Sequence, residues 1–168
     1  NPYPPIQYNT PEPTTKTQTV RLPVKRALLI GINYIGNRAQ LKGCINDLQN
    51  SNQLLTETFG WEVDCIKVLS DDLRDPEYRP TRANIILWMR WLAEDVRPGD
   101  VLFFHFSGHG SQREDPNGYE EDGMNECILP MDFNYSDVIT DDLMNEIMIR
   151  HLPSGVKLTC VLDCCHSG

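Results

Sequence analysis

Two periods of apolar residues alternate along this chain, and together they lay out the expected elements. Asp100–Phe106 and Val156–Leu162 are nearly unbroken apolar runs of strand length. A strand covered on both faces has no polar side to show, so these runs read as central strands of a parallel sheet between helical layers. Further strands are expected at about 26 to 33 and 64 to 69, with a short one near 126 to 130. Helical spacing appears between them. A helix at about 45 to 58 sets Ile45, Leu48, Leu55 and Phe59 along one side, and one at about 82 to 95, capped by Thr81, carries Ile85, Trp88, Met89 and Leu92. A third is expected at about 141 to 151. Strand and helix in alternation predict a three-layer α/β sandwich with a mostly parallel central sheet. Residues 1 to 19, rich in Pro, Thr, Gln and Asn, read as an extended or disordered tail ahead of one domain over 20 to 168.

Both central runs lead into reactive side chains. The first continues as Ser107-Gly108-His109-Gly110, the second as Asp163-Cys164-Cys165-His166-Ser167-Gly168. Ligands of open sheets bind beyond the carboxyl ends of the strands, which is where both motifs are expected. A thiol with a pKa near 8.5 is only a few per cent ionised at neutral pH, so an attacking thiolate needs a proton acceptor such as an imidazole. If the two strands are neighbours, His109 and a cysteine of the second motif share one crevice. Alternation along an extended chain puts Asp163 and Cys165 on one face and Cys164 on the other. Gly108 and Gly110 would let the backbone turn sharply, and the N–H groups of Gly110 and Cys165 are the nearest oxyanion donors. Asp163 should then sit beside the reacting centre. Asp47, near the start of a helix, reads equally well as a cap.

These two motifs, together with Ala27-Leu28-Leu29-Ile30-Gly31-Ile32-Asn33-Tyr34, Leu41-Lys42-Gly43-Cys44-Ile45-Asn46-Asp47 and Ile139-Thr140-Asp141-Asp142, resemble the large catalytic subunit of a caspase-fold cysteine peptidase. Within that clan the resemblance is to type I metacaspases, over roughly residues 25 to 168, with residues 1 to 19 similar to the end of a pro-region. It implies a calcium-dependent, autoprocessed zymogen, linked to programmed cell death, that cleaves after Arg or Lys. Cys165, immediately before His-Ser-Gly, is then the nucleophile and His109 the base. Asp47 and Asp163, accompanied by Cys44 and Ser107, line the pocket for the basic residue. Asp141 and Asp142 match paired acids of a calcium site, in which Asn125 stands where an acid is usual. A small-subunit segment of the same protein is the implied partner, beside Arg- or Lys-containing substrates.

Other chemistries fit less well. A zinc site is disfavoured for the Cys-Cys-His cluster, and Ser167 lacks the elbow of a serine hydrolase. Cys44, Cys65, Cys127 and Cys160 default to small core hydrophobes, Cys160 most clearly, and His105 to a hydrogen-bonded core residue. A net charge of -9 disfavours a nucleic-acid partner and favours cationic ligands. No apolar run approaches the 18 or so residues of a membrane span, and the first residues lack a secretory pattern. Six cysteines without framework spacing fit a reducing cytoplasm, or the nucleus. No organic cofactor is expected. A caspase-fold scaffold acting through the Pro-rich tail, and a clan relative of other specificity, are the alternatives.

Overall fold

The computed structural model describes residues 21–114 and 124–166, with side chains through Cys164. The Pro-rich tail, the acidic loop around Glu120 and the Ser167-Gly168 end lie outside the described residues. In chain order the elements are β1 (Lys25–Gly31), α1 (Cys44–Gln53), β2 (Ile66–Ser70), α2 (Arg82–Ala93), β3 (Val101–Glu114), β4 (Met124–Ile128), β5 (Ile139–Thr140), α3 (Asp141–Met148) and β6 (Lys157–His166).

Six strands form one sheet in the order β2-β1-β3-β4-β5, with β6 also on β3. β1, β2, β3 and β6 are parallel, and β4 and β5 are antiparallel additions. β1 accompanies β3 from Val101 to Ser107. Beyond that point Ile32 N–H donates to the Ser107 carbonyl and Leu129 N–H to the His109 carbonyl. Carbonyls two residues apart on a strand point to the same edge, so β4 follows β1 along one edge of β3. β6 takes the other edge, from Val101 to Gly110.

Alternation along β1 divides the core between two layers. Ala27 and Leu29 pack with Leu48, Leu55 and Ile66 under α1. Leu28 and Ile30 join Phe104, Phe106, Ile85, Met89, Leu92, Met144 and Met148 under α2 and α3. The three-layer sandwich expected from the sequence is the observed architecture. Thr81 caps α2 as expected, its hydroxyl accepting Asn84 N–H at 3.3 Å.

Three expectations fail locally. α1 does not run regularly to residue 58: it widens into a π-helical turn over Leu54–Thr58, which rotates the next residues off the buried face and leaves Phe59 58% exposed. β3 does not turn at Gly108 and Gly110 but runs straight through them to Glu114. β6 is not covered on both faces. Cys160 is exposed rather than core, with Val161 39% and Leu162 48% exposed, and no described strand lies beyond the free edge of β6.

α1 approaches β1 unusually closely, because Gly31 has no Cβ. One built there would stand 2.7 Å from the Cys44 carbonyl oxygen and 2.9 Å from Leu48 Cβ. Gly31→Ala must push the start of α1, which carries Cys44 and Asp47, off the sheet, since the obstacle is backbone. We expect a loss of about 1–3 kcal/mol of stability, typical of overpacking, measured by denaturant unfolding. An unchanged unfolding midpoint would show that the approach is not tight.

Candidate active site

The in-register pairing of β3 with β6 assembles the site. Opposite His105, Ser107 and His109 on β3 stand Val161, Asp163 and Cys165 on β6. Cys165 therefore lies one strand spacing, about 4.8 Å, from the backbone of His109. Its neighbour Cys164 is opposite Gly108, and the Cys164 side chain packs against the α2/α3 core, with Sγ 3.1 Å from where a Gly110 Cβ would be. Gly110 itself is flanked by Ile128 and His166.

Above this face lies the start of α1. Its N-cap position, Gly43, has φ 116° and offers no capping side chain. Asp47 does not cap the helix; its carboxylate instead accepts the Ser107 hydroxyl at 3.1 Å. A cleft of about 300 Å³ opens here, lined by Leu41, Lys42, Cys44, Asp47, Ser107, Gly108, His109 and Asp163. It joins all four residues expected to hold a basic side chain to the expected base. Burial pushes the Cys44 thiol up; a hydrogen bond with Ser107 pulls it partly back, and Asp47 and Asp163 add to the rise. Cys44 thus stays a protonated wall of the cleft, not a competing nucleophile.

The His109 ring is oriented by its distal nitrogen. Nε2 lies 2.7 Å from the Ala39 carbonyl oxygen, which can only accept, so Nε2 carries the proton. In that tautomer the lone pair is on Nδ1, the nitrogen that can accept a proton. His105 is buried as expected, at 3% exposure, but its Nδ1 has no partner, which differs from the hydrogen-bonded core residue anticipated. Burial holds its pKa below the usual value against the opposing pull of Asp163 and Asp47.

The paired acids stand apart from this cleft. Thr140 caps α3, accepting Leu143 N–H at 3.3 Å, so Asp141 and Asp142 occupy the first turn without being the cap. Asn125, 5% exposed, directs its amide to Asp142 at 3.4 Å, and its Oδ1 is buried without a partner. Among the described residues no three His, Cys, Asp or Glu side chains converge as a metal cluster.

The sequence reading missed Lys42 on the rim and the Ala39 carbonyl, as well as Tyr34 and Asp71, which support the loop between β1 and α1. A backbone carbonyl has no residue signature. Tyr34 and Asn33 belonged to a recognised segment, but nothing in its composition marked what they touch.

Comparison with known proteins agrees with this geometry. The family described as "Metacaspase, peptidase C14 domain" matches residues 25–168. Metacaspase-1 of Coccidioides immitis is 51% identical over 144 residues, spanning 86% of this chain and 31% of the relative. Metacaspase-1B of Neurospora crassa is 52% identical over 143 residues, spanning 85% of this chain and 34% of the relative. The chain thus covers about a third of the length of these relatives. A crystal structure of a Geobacter sulfurreducens protein superposes with a TM-score of 0.67 at 26% identity, covering 87% of this chain and 52% of that one. With its Ser107–Gly110 and Asp163–Cys165 segments paired across one cleft, and with relatives matched over nearly all of the described fold, the chain belongs to the metacaspase family, as a type I catalytic region.

Proposed function

We propose that this chain is the nucleophile-bearing part of a cysteine endopeptidase that cleaves after Arg or Lys. The observation that carries the reading is the register setting His109 against Cys165 at the edge of a cleft holding Asp47 and Asp163. His109 Nδ1 takes the thiol proton of Cys165, and the thiolate adds to the scissile carbonyl. The N–H groups of Gly110 and Cys165 are the candidate donors to the resulting oxyanion. Collapse of the tetrahedral adduct expels the amine, which collects the proton from His109, and water then hydrolyses the thioester. A guanidinium or ammonium group suits a cleft with two carboxylates and would replace their lost hydration. An acidic residue would meet like charge there.

The uncovered outer edge of β6, with Val161 and Leu162 exposed, fits a further strand from the remainder of the same protein, the proposed small-subunit partner. Calcium activation is also proposed. Asp141, Asp142 and the orphaned Asn125 Oδ1 offer the hard oxygen ligands that calcium prefers, and Asn125 supplies no charge where an acid would. When bound, the ion would neutralise the two carboxylates at the start of α3.

In the full-length protein, Cys165→Ala should abolish peptide hydrolysis and self-cleavage, while Cys164→Ala keeps most activity. Activity surviving only in Cys165→Ala would overturn the assignment. Asp163→Asn and Asp47→Asn should each lower kcat/KM for Arg peptides by about one to three orders of magnitude, at tenfold per 1.36 kcal/mol. Alkylation of Cys165 by a small uncharged reagent should stay within a few fold in these variants, rising where a carboxylate that opposes the thiolate is lost. Parent-like cleavage of Arg peptides by both would therefore remove the acidic pocket. Replacing Asp141 and Asp142 by Ala should raise the calcium needed for half-maximal activity at least about tenfold, or 1.4 kcal/mol. An unaltered calcium response at an unaltered melting temperature would assign both acids to the helix end alone.

A further inference from the structure

Tyr34 is the one bulky side chain among the described residues whose buried backbone lies in the left-handed region, with φ 54° and 2% exposure. That conformation is an outlier for an aromatic residue and persists only where its surroundings enforce it. The enforcing group is Asp71, itself 6% exposed. Its two carboxylate oxygens accept the N–H groups on either side of the kink, Asn33 at 3.0 Å and Ile35 at 2.8 Å.

The kink delivers the Tyr34 hydroxyl to the candidate base. The hydroxyl accepts His109 N–H at 2.9 Å and donates to the Leu129 carbonyl at 2.7 Å. Leu129 N–H in turn donates to the His109 carbonyl at 3.0 Å, which closes a ring of hydrogen bonds around the His109 backbone. The two aromatic rings also touch, with centroids 4.7 Å apart. Burial drives the Tyr34 phenol far above its usual pKa, so the hydroxyl keeps the proton that it donates. Gly108 makes the arrangement possible, since a Cβ there would lie 3.0 Å from the Tyr34 hydroxyl and 2.8 Å from the Phe106 ring. The same loop carries Ala39, whose carbonyl orients the imidazole.

We propose that Tyr34, fixed in its left-handed conformation by the Asp71 carboxylate, is a positioning residue that sets the height and ring orientation of His109. The inference rests on the reading of His109 as the base. Tyr34→Phe retains the ring and its packing but removes both hydroxyl hydrogen bonds. In the full-length protein it should lower kcat for an Arg peptide about tenfold with KM within about twofold, because only proton transfer loses alignment. Nitrogen-15 spectra of the His109 imidazole should show the parent as the single Nε2–H form and Tyr34→Phe as a mixture. Asp71→Asn, which keeps one of two acceptors, should show the same signature more weakly than Asp71→Ala. A Tyr34→Phe enzyme with parent kcat, a loss confined to KM, or an unmixed imidazole spectrum in Tyr34→Phe and Asp71→Ala alike would overturn the proposal. A parent protein without peptidase activity would sink the catalytic reading instead, and the imidazole spectra would still decide whether Tyr34 holds His109.

Discussion

Three strands of this fold take their starting register from one buried carboxylate and the backbone beside it. Asp100, 1% exposed, accepts Val24 N–H at 2.7 Å and Arg97 N–H at 2.9 Å, with the Arg21 guanidinium 3.2 Å away. Burial alone would raise its pKa, but these three partners outweigh that penalty and hold it below the usual value. Its own carbonyl accepts Lys157 N–H at 3.0 Å, and Val101 N–H donates back to Val24. The starts of β1, β3 and β6 are thereby tied together at the end of the sheet opposite the cleft. A slip of one residue reverses which face every side chain of a strand presents. In β6 such a slip would set Cys164 rather than Cys165 opposite His109. The pairing of His109 with Cys165 at one end therefore depends on a hydrogen-bond knot at the other, with the whole paired length from Val101 to His109 between them.

The cleft face is built from polar positions that interrupt an apolar strand. Phe104 and Phe106 fill the α2/α3 layer, while His105 and Ser107 point beneath α1. Ser107 is 1% exposed and finds its partner in Asp47, so the hydroxyl holds one carboxylate in place. His105 finds no partner for Nδ1, and a buried unsatisfied nitrogen is a cost that a purely structural position would ordinarily shed. It lies behind the same pair of acids and stays neutral there because desolvation outweighs their attraction.

Much of the fold was legible because its strands are long apolar runs and its helices have clean faces. Thr81, the layer order and the proximity of the His109 and Cys165 segments all followed from period and motif. What failed was decided by contacts beyond the local pattern. The widening of α1 after Gln53 has no marker in residues 54 to 58, so the helical period sets Phe59 on the same side as Leu48 and Leu55, where the structure does not put it. Cys160 sits in as apolar a run as any core strand, yet it is exposed: the core reaches Leu158 and Cys164 of β6 and leaves Cys160 open between them. The glycines of the His109 motif were read as a turn, whereas their use is steric: Gly108 makes room for a hydroxyl from a residue 74 positions earlier in the sequence. Composition cannot report a partner so distant in sequence.

Under the proposed function, the same acids that favour a cationic substrate work against the nucleophile. Two carboxylates near the end of β6 disfavour a further negative charge, so on the proposed reading they make the Cys165 thiolate harder to form in the empty cleft. The tautomer with its lone pair on Nδ1 offsets this, because it presents an acceptor to the thiol proton. On that reading, a bound Arg or Lys side chain would cancel the opposing field at the moment the thiolate is needed. Cationic specificity and activation of the nucleophile then have one electrostatic cause. It follows that the Ala39 carbonyl matters as much as the acids: it holds the proton on Nε2 and so leaves Nδ1 as the ring's accepting nitrogen.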